Sequence, residues 1–312
     1  MSGATVNVDN FVRAESDRMF ASFVAEAGAV NVLTHYRAPT PVDHQPVIRM
    51  NRDTLYSAAV VDISDSATIT VPDAGDRYVS VMVVNQDHYV NRVFHDPGAH
   101  TLTVDEFDTP WVAVAARVLV DPSDAADVAA VNALQDRLTL QARSARPFEQ
   151  PDYDPASLDE TRRALLGLAR GLTGFDHAFG ARSDVDPVRH LLGTAAGWGG
   201  LPDSEARYVS VEPDLPVGEY RLTVREVPVD GFWSISVYNA DGYFEPNDRD
   251  AYSINNLTAT PNADGSVTVR FGGDGPNQLP ITDGWNYTIR LYRPRPEILD
   301  GSWSFPTIEG GW

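Results

Sequence analysis

The 312-residue chain contains no cysteine and no lysine. Without thiols there is no thiolate catalysis, no disulfide and no cysteine-ligated zinc or iron–sulfur centre. Without lysine there is no Schiff base and no phosphate-loop ammonium. Arginine therefore supplies every permanent side-chain cation, as planar forks suited to carboxylate or phosphate. Long apolar runs are also missing, and with no stretch of about eighteen apolar residues a membrane-spanning helix is not expected. The opening "MSGATVNVDNF" has neither a charged leader nor an apolar core, so no signal peptide is expected and the protein reads as cytoplasmic. Positive charge is scarce: the formal net charge is −20 and the sequence pI about 4.5. That argues against nucleic acid and anionic membrane as partners, and leaves a small-molecule substrate and further copies of the chain.

What is present is a well-cored globular composition. Hydrophobic residues make up 43% and aromatics 10%, enough for two ordinary domains or one large β unit. Asp9 to about Gly28 reads as an amphipathic helix, with Phe11, Met19, Phe20, Phe23 and Val24 near helical spacing. "HYRAPTPVDHQP" is a proline-broken loop, and from Ile48 to Asp121 short apolar or alternating runs predict strands. The middle predicts three helices over roughly 123–197. Ser123 is the expected cap of the first, Ser157 with Glu160 forms a capping box for the second, and Pro187 sits in the first turn of the third. After Tyr208 the chain is β again, with "ADGS" at Ala263–Ser266 as a hairpin turn.

The two β stretches echo each other. "DRYVSVMVVNQDHY" from Asp76 aligns without a gap on "DGFWSISVYNADGY" from Asp230. The match pairs Ser80 with Ser234, Asn85 with Asn239, Asp87 with Asp241 and Tyr89 with Tyr243. A second echo sets "WVAVAARVLVDP" beside "WNYTIRLYRP", each led by tryptophan with an inner arginine, Arg117 and Arg290. Two β units of similar plan around a helical insert are expected. The predicted fold is mainly β, two jelly-roll-like sandwiches, divided as 1–122, 123–200 and 201–312.

"VIRMNRDTLYSAAVVDIS…PDAGDRYVSVMVVNQDHY" resembles the N-terminal domain-of-unknown-function family twelve fifty-four. "FWSISVYNADGYF", "YSIN", "DGSVTV", "NQLP", "IRLYRP" and "DGSW" resemble its C-terminal companion, twelve fourteen, with Gln278 standing where the usual motif has tryptophan. The resemblance implies a double jelly roll that assembles as a trimer, an architecture shared with viral capsid proteins and some glycoside hydrolases. It implies no mechanism.

Four features could carry chemistry. In "RMNRDTLY", a strand would place Arg49, Asn51 and Asp53 on one face, either as a base with its orienting cation or as an internal clasp. "NQDHY" and "NADGY" are ordinary turn chemistry, but His88 stands where the second copy has Gly242; if that position needs positive φ, a histidine there is unusual. His88, His95 and His100 cluster within thirteen positions, readable as a metal site, an acid/base group or a solvated loop. No G-x-S-x-G occurs, so a serine-hydrolase elbow is not supported.

These features lead to two expectations. One is a cofactor-independent hydrolase of a small ester or glycoside, with no metal. Its catalytic residues would be Asp53, Asp87 and His88, and its substrate would be bound by Arg49, Asn51, Tyr56, Asn85, His95, Trp233, Tyr238, Asp241 and Tyr243. The other is a non-catalytic oligomeric scaffold or ligand-binding protein. A tail rich in aromatics (Trp303, Phe305, Trp312) adds to the expectation of an oligomer.

Overall fold

A computed structural model of the protein describes residues 3–45, 48–172 and 174–310. In chain order the elements begin α1 (Phe11–Ala27), β1 (Thr34–His35), β2 (Thr54–Asp62), β3 (Ala67–Val71), β4 (Val79–Asn85), β5 (Val90–Phe94) and β6 (Gly98–Leu102). The middle holds α2 (Val104–Phe107), β7 (Trp111–Leu119), α3 (Ala125–Gln135), β8 (Thr139–Ala142), α4 (Pro155–Ala169) and α5 (Pro187–Gly197). Then come β9 (Ala206–Val211), β10 (Tyr220–Val224), β11 (Trp233–Tyr238), β12 (Ser253–Asn255) and β13 (Val267–Phe271). The last are β14 (Gln278–Leu279), β15 (Asn286–Tyr292), α6 (Pro296–Leu299) and β16 (Glu309–Gly310). The fold is mainly β, jelly-roll-like, with α3, α4 and α5 inserted between the two β stretches of the sequence. No helix among the described residues is long and apolar enough to cross a membrane.

The chain forms two compact units whose bounds differ from the three expected segments. The first comprises Met1–Arg37, Tyr56–Val118 and Val131–Asp203; the second comprises Ala38–Leu55, Leu119–Ala130 and Ser204–Trp312. The helical segment is not a body of its own. Leu158, Leu165 and Leu192 of α4 and α5 share one apolar cluster with Phe11 and Ala14 of α1 and with Val6. A helix pair of this size can bury its leucine stripes only against a third surface, and α1 provides it.

In the first unit one sheet runs β1–β2–β7–β4–β5 and another β6–β3–β8. All seven residues of β4, "VSVMVVN", are buried, as a continuous apolar run requires of a strand covered on both faces. The short strand β8 lies inside the segment expected to hold only helices. It leaves α3 at Gln135 and pairs with β3 instead, where Thr139 and Gln141 alternate with Leu140 and Ala142. Two caps also differ. Asp154, not Ser157, accepts the first-turn amide of α4, with Pro155 at its first position, because the acceptor must precede the helix. At α3 the carboxylate of Asp124 receives the Ala126 amide, while the Ser123 hydroxyl turns to Asp121. Asp186 caps α5 ahead of Pro187.

In the second unit the sheets are β14–β13–β10–β16 and β12–β11–β15–β9. Trp233, Ile235, Val237, Ile289 and Leu291 from one and Leu222, Val269 and Phe271 from the other form the core. Trp303 and Phe305 pack on this core, so these two tail aromatics are not left exposed; Trp312 lies outside the described residues. Asn262 to Ser266 is a tight turn with Gly265 at φ +81°, but β12 and β13 belong to different sheets, so it is not a hairpin between them.

The sequence echo is a structural one. Ser80 lies opposite Arg117 across β4 and β7, and Ser234 lies opposite Arg290 across β11 and β15. The turns that follow are closed by the same four bonds. Asn85 Oδ1 accepts the amides of Asp87 and Tyr89, its carbonyl accepts the amide of His88, and its own amide donates to Tyr89. Asn239 does the same with Asp241, Tyr243, Gly242 and Tyr243 again. The repeated N-x-D-x-Y therefore turns a corner in each unit.

Candidate functional site

The turn of the first unit holds His88 at φ +63°, matching φ +85° at Gly242. A non-glycine residue there costs on the order of 1 kcal/mol or more, which the surroundings must offset. They do so through a closed polar network. Gly199 donates its amide to Nε2 of His88 at 2.8 Å, and Nδ1 lies 2.8 Å from Thr194 Oγ1. Because the Thr194 hydroxyl donates to the His190 carbonyl, Nδ1 carries the proton and the ring is neutral. Burial, with the neighbouring His190 charge adding to it, pushes the His88 pKa well below its ordinary value. The ring stacks between Trp198 and His190. His190 in turn lies against the carbonyls of Ala178 and Asp87 and stacks on Tyr89.

Asp87 is engaged as well: Arg13 donates Nε and Nη2 to its Oδ1 at 2.9 and 2.6 Å. Asn85 is fully buried, its amide donating to the Phe107 carbonyl. The three clustered histidines diverge. Nδ1 of His95 faces the Val79 carbonyl, and Nε2 of His100 faces that of Asp96. Among the described residues no group of three metal-binding side chains converges. Tyr56 lies under the Arg117 guanidinium, 5.5 Å from ring centroid to Cζ.

The second unit holds a different arrangement. Since opposed antiparallel partners share a face, Ser253 and Asn255 of β12, Ser234 and Ser236 of β11, and Thr288 and Arg290 of β15 lie on the side away from the apolar core. This side is polar yet buried: Ser234, Ser236 and Asn255 are 0% exposed and Arg290 3%. Arg290 donates to Ser236 Oγ at 2.8 Å and to the Tyr238 hydroxyl at 2.7 Å, and also to the carbonyls of Arg49 and Met50. Burial pulls its pKa down, but Tyr238, Tyr292 and Asp53 outweigh that and hold it above the ordinary arginine value.

The segment "RMNRD" is not a strand. Arg49 has φ +52°, and β2 starts only at Thr54. Asn51 donates to Tyr292 Oη at 2.9 Å and caps the Asp53 amide through Oδ1. Asp53 is fully buried, its Oδ1 accepting Ser253 Oγ at 2.9 Å and Asn255 Nδ2 at 3.0 Å. Its Oδ2 has no hydrogen-bond partner among the described residues, and neither has Ser234 Oγ. Arg49 reaches Glu212 at 3.2 Å. Tyr238 donates to the Met50 carbonyl at 2.8 Å.

Three expected binding residues lie elsewhere for clear reasons. Trp233 points into the apolar core, because β11 alternates and its partner is Leu291. Asp241 is exposed on the turn, and Tyr243 closes that turn through its amide. Ser253, Asn255 and Arg290, which hold Asp53 and the segment before it, were not among the expected site residues. Their signal was in the motifs "YSIN" and "IRLYRP", which say nothing by themselves about which face is polar.

Residues 30–101 match the family described as "Protein of unknown function (DUF1254)", and residues 212–296 match "Protein of unknown function (DUF1214)". No curated protein matches the chain. Among solved structures it is similar to the VPA0106 protein from Vibrio parahaemolyticus, at 17% identity and TM-score 0.76 over 97% of each chain. It is also similar to an uncharacterized protein from Burkholderia cenocepacia, at 15% identity and TM-score 0.54, over 95% of this chain and 87% of that one. At such identities the likeness bears on the fold alone. The chain thus carries an N-terminal region that matches DUF1254 and a C-terminal region that matches DUF1214.

Proposed function

We propose that this chain is a non-catalytic protein that assembles into a homo-oligomer and binds a small molecule, in preference to a cofactor-independent hydrolase. The observation that carries the reading is His88. A general acid or base must reach the reacting atom, yet this ring is wholly buried, with both nitrogens committed inside its own unit. Asp87 is likewise held by Arg13. One feature favours the hydrolase as a second reading: the buried Asp53 accepts the Ser253 hydroxyl while its Oδ2 has no partner among the described residues. The assembly is taken to be a trimer, from the family resemblance. The edge strand β9, with Tyr208 and Val209 42% and 41% exposed, is an available contact. Strong acidity supports a cytoplasmic, freely soluble particle that avoids nucleic acid and membranes.

Two measurements test this. Light scattering should give about three times the 34.1 kDa chain mass, and a 34.1 kDa particle would remove the assembly. A panel of p-nitrophenyl esters and glycosides should show no turnover. Turnover abolished by Asp53→Asn in a folded protein would instead establish the hydrolase.

A further inference from the structure

The second unit has a pocket of about 200 Å3, whose walls bring together Arg52, Asp121, Ser123, Asp250, Tyr252 and Ser253. Taking a water to occupy about 30 Å3, it has room for about seven waters, so a ligand would be small.

Proton ownership sets what these walls offer. Ser253 donates its hydroxyl hydrogen to Asp53 at 2.9 Å, and Ser123 donates its own to Asp121 at 2.6 Å. A hydroxyl that has donated presents only lone pairs, so both serines act as acceptors, as do the carboxylates of Asp121 and Asp250. This side of the pocket calls for N–H donors. Arg52 has the opposite character. It donates one Nη1 hydrogen to the Thr40 carbonyl, and its Cζ lies 5.2 Å from the Tyr252 ring centroid. No carboxylate hydrogen-bonds to it among the described residues. Burial lowers its pKa against the pull of Asp250, Tyr252 and Asp53, as for a cation part-way out of water with donors to spare. The other lining arginine, Arg249, is already paired with Asp274.

A simple anion would meet two carboxylates here, and a simple cation would meet Arg52. We propose that the pocket binds a small zwitterion of the α-amino-acid class. Its carboxylate pairs with Arg52, and its ammonium lies among Ser253, Ser123, Asp121 and Asp250. This rests on the binding half of the function proposed above, and the oligomeric state is measured separately. A failure here leaves the assembly untouched.

The test is isothermal titration of the full chain with L-alanine, and in separate runs with acetate, ethylammonium and glucose. Saturable heat is expected with L-alanine at millimolar concentration or below, acetate and ethylammonium each binding at least about tenfold more weakly, and glucose giving none. Arg52→Gln and Asp250→Asn should each weaken L-alanine by about tenfold or more. Asp250 sits on an exposed turn at φ +49°, a conformation asparagine tolerates, so this variant keeps its fold even if Arg52→Gln does not. Absence of saturable heat with L-alanine would overturn the proposal. So would acetate or glucose matching it, or an Asp250→Asn variant with undiminished affinity.

Discussion

The amide of Gly199 donates to Nε2 of His88 at 2.8 Å, fixing the imidazole as a neutral acceptor inside the first unit. An unfolded histidine titrates near 6.5, and the folded ring well below that. Below about pH 6.5 the unfolded chain therefore binds a proton that the folded chain refuses. The stabilising contribution is full above that pH and is lost as the pH falls towards the folded value, by at most about 1.4 kcal/mol per pH unit. Urea unfolding between pH 7.5 and 5 should show this loss, and His88→Asn should remove it. A slope unchanged in the variant would mean that another group titrates.

Replacing His88 by alanine should lower stability by about 2–4 kcal/mol, since it empties an aromatic slot between Trp198 and His190 and leaves the Gly199 amide and the Thr194 hydroxyl without their partner. Equilibrium denaturation reads this directly. A stability within about 0.5 kcal/mol of the parent would contradict the structural role.

The matched turns differ in one respect that a pair of mutants can read. Asn85 donates to the Phe107 carbonyl and is fully buried, whereas Asn239 donates to Glu245 at a half-exposed site. Asn85→Ala should cost about 2–3 kcal/mol and Asn239→Ala about 1 kcal/mol, because only the first leaves a buried carbonyl unpaired. Equal losses would show that the turn geometry alone sets the cost.

Arg290 and Asp53 lie within electrostatic reach on the buried polar face of the second unit. Arg290→Met should destabilise by about 3–5 kcal/mol, because it strands a buried carboxylate. Asp53→Asn should cost less, since asparagine can still accept from Ser253 and Asn255. A double-mutant cycle should return a coupling of at least about 1 kcal/mol; strict additivity would show that the two charges do not compensate each other.

Asp62 in the first unit is fully buried. Desolvation raises its pKa, but the bonds from Arg146 and Ser64 outweigh this and hold the carboxyl below the usual range. A carboxyl depressed in the folded state adds stability that is full above about pH 4 and is lost as the pH falls below it. Asp62→Asn should cost about 2–3 kcal/mol at pH 7, with the gap to the parent closing on acidification. Chemical denaturation at pH 7 and pH 3 reads the difference. A gap that does not narrow at all between pH 7 and pH 3 would point to packing.

The sequence alone determined the β–helix–β order, because strand and helix periodicities are local and alternate cleanly along this chain. It also carried the repeat, down to the matching serines and arginines and the asparagine that closes each turn, since a turn draws its bonds from neighbours in sequence; that each serine faces its arginine across two strands came from the tertiary pairing. Tertiary structure decided what periodicity does not encode. The partner of α4 and α5 is α1, more than a hundred residues upstream, so a separate helical domain was not to be read from local pattern. Strand β8 exists because β3 offers an unpaired edge. The face of β11 that packs on the core and the face that holds Asp53 both alternate in the same way in the sequence. Their difference lies in what comes to cover them, and His88 became a buried structural ring only when Thr194, Trp198 and Gly199 closed around it.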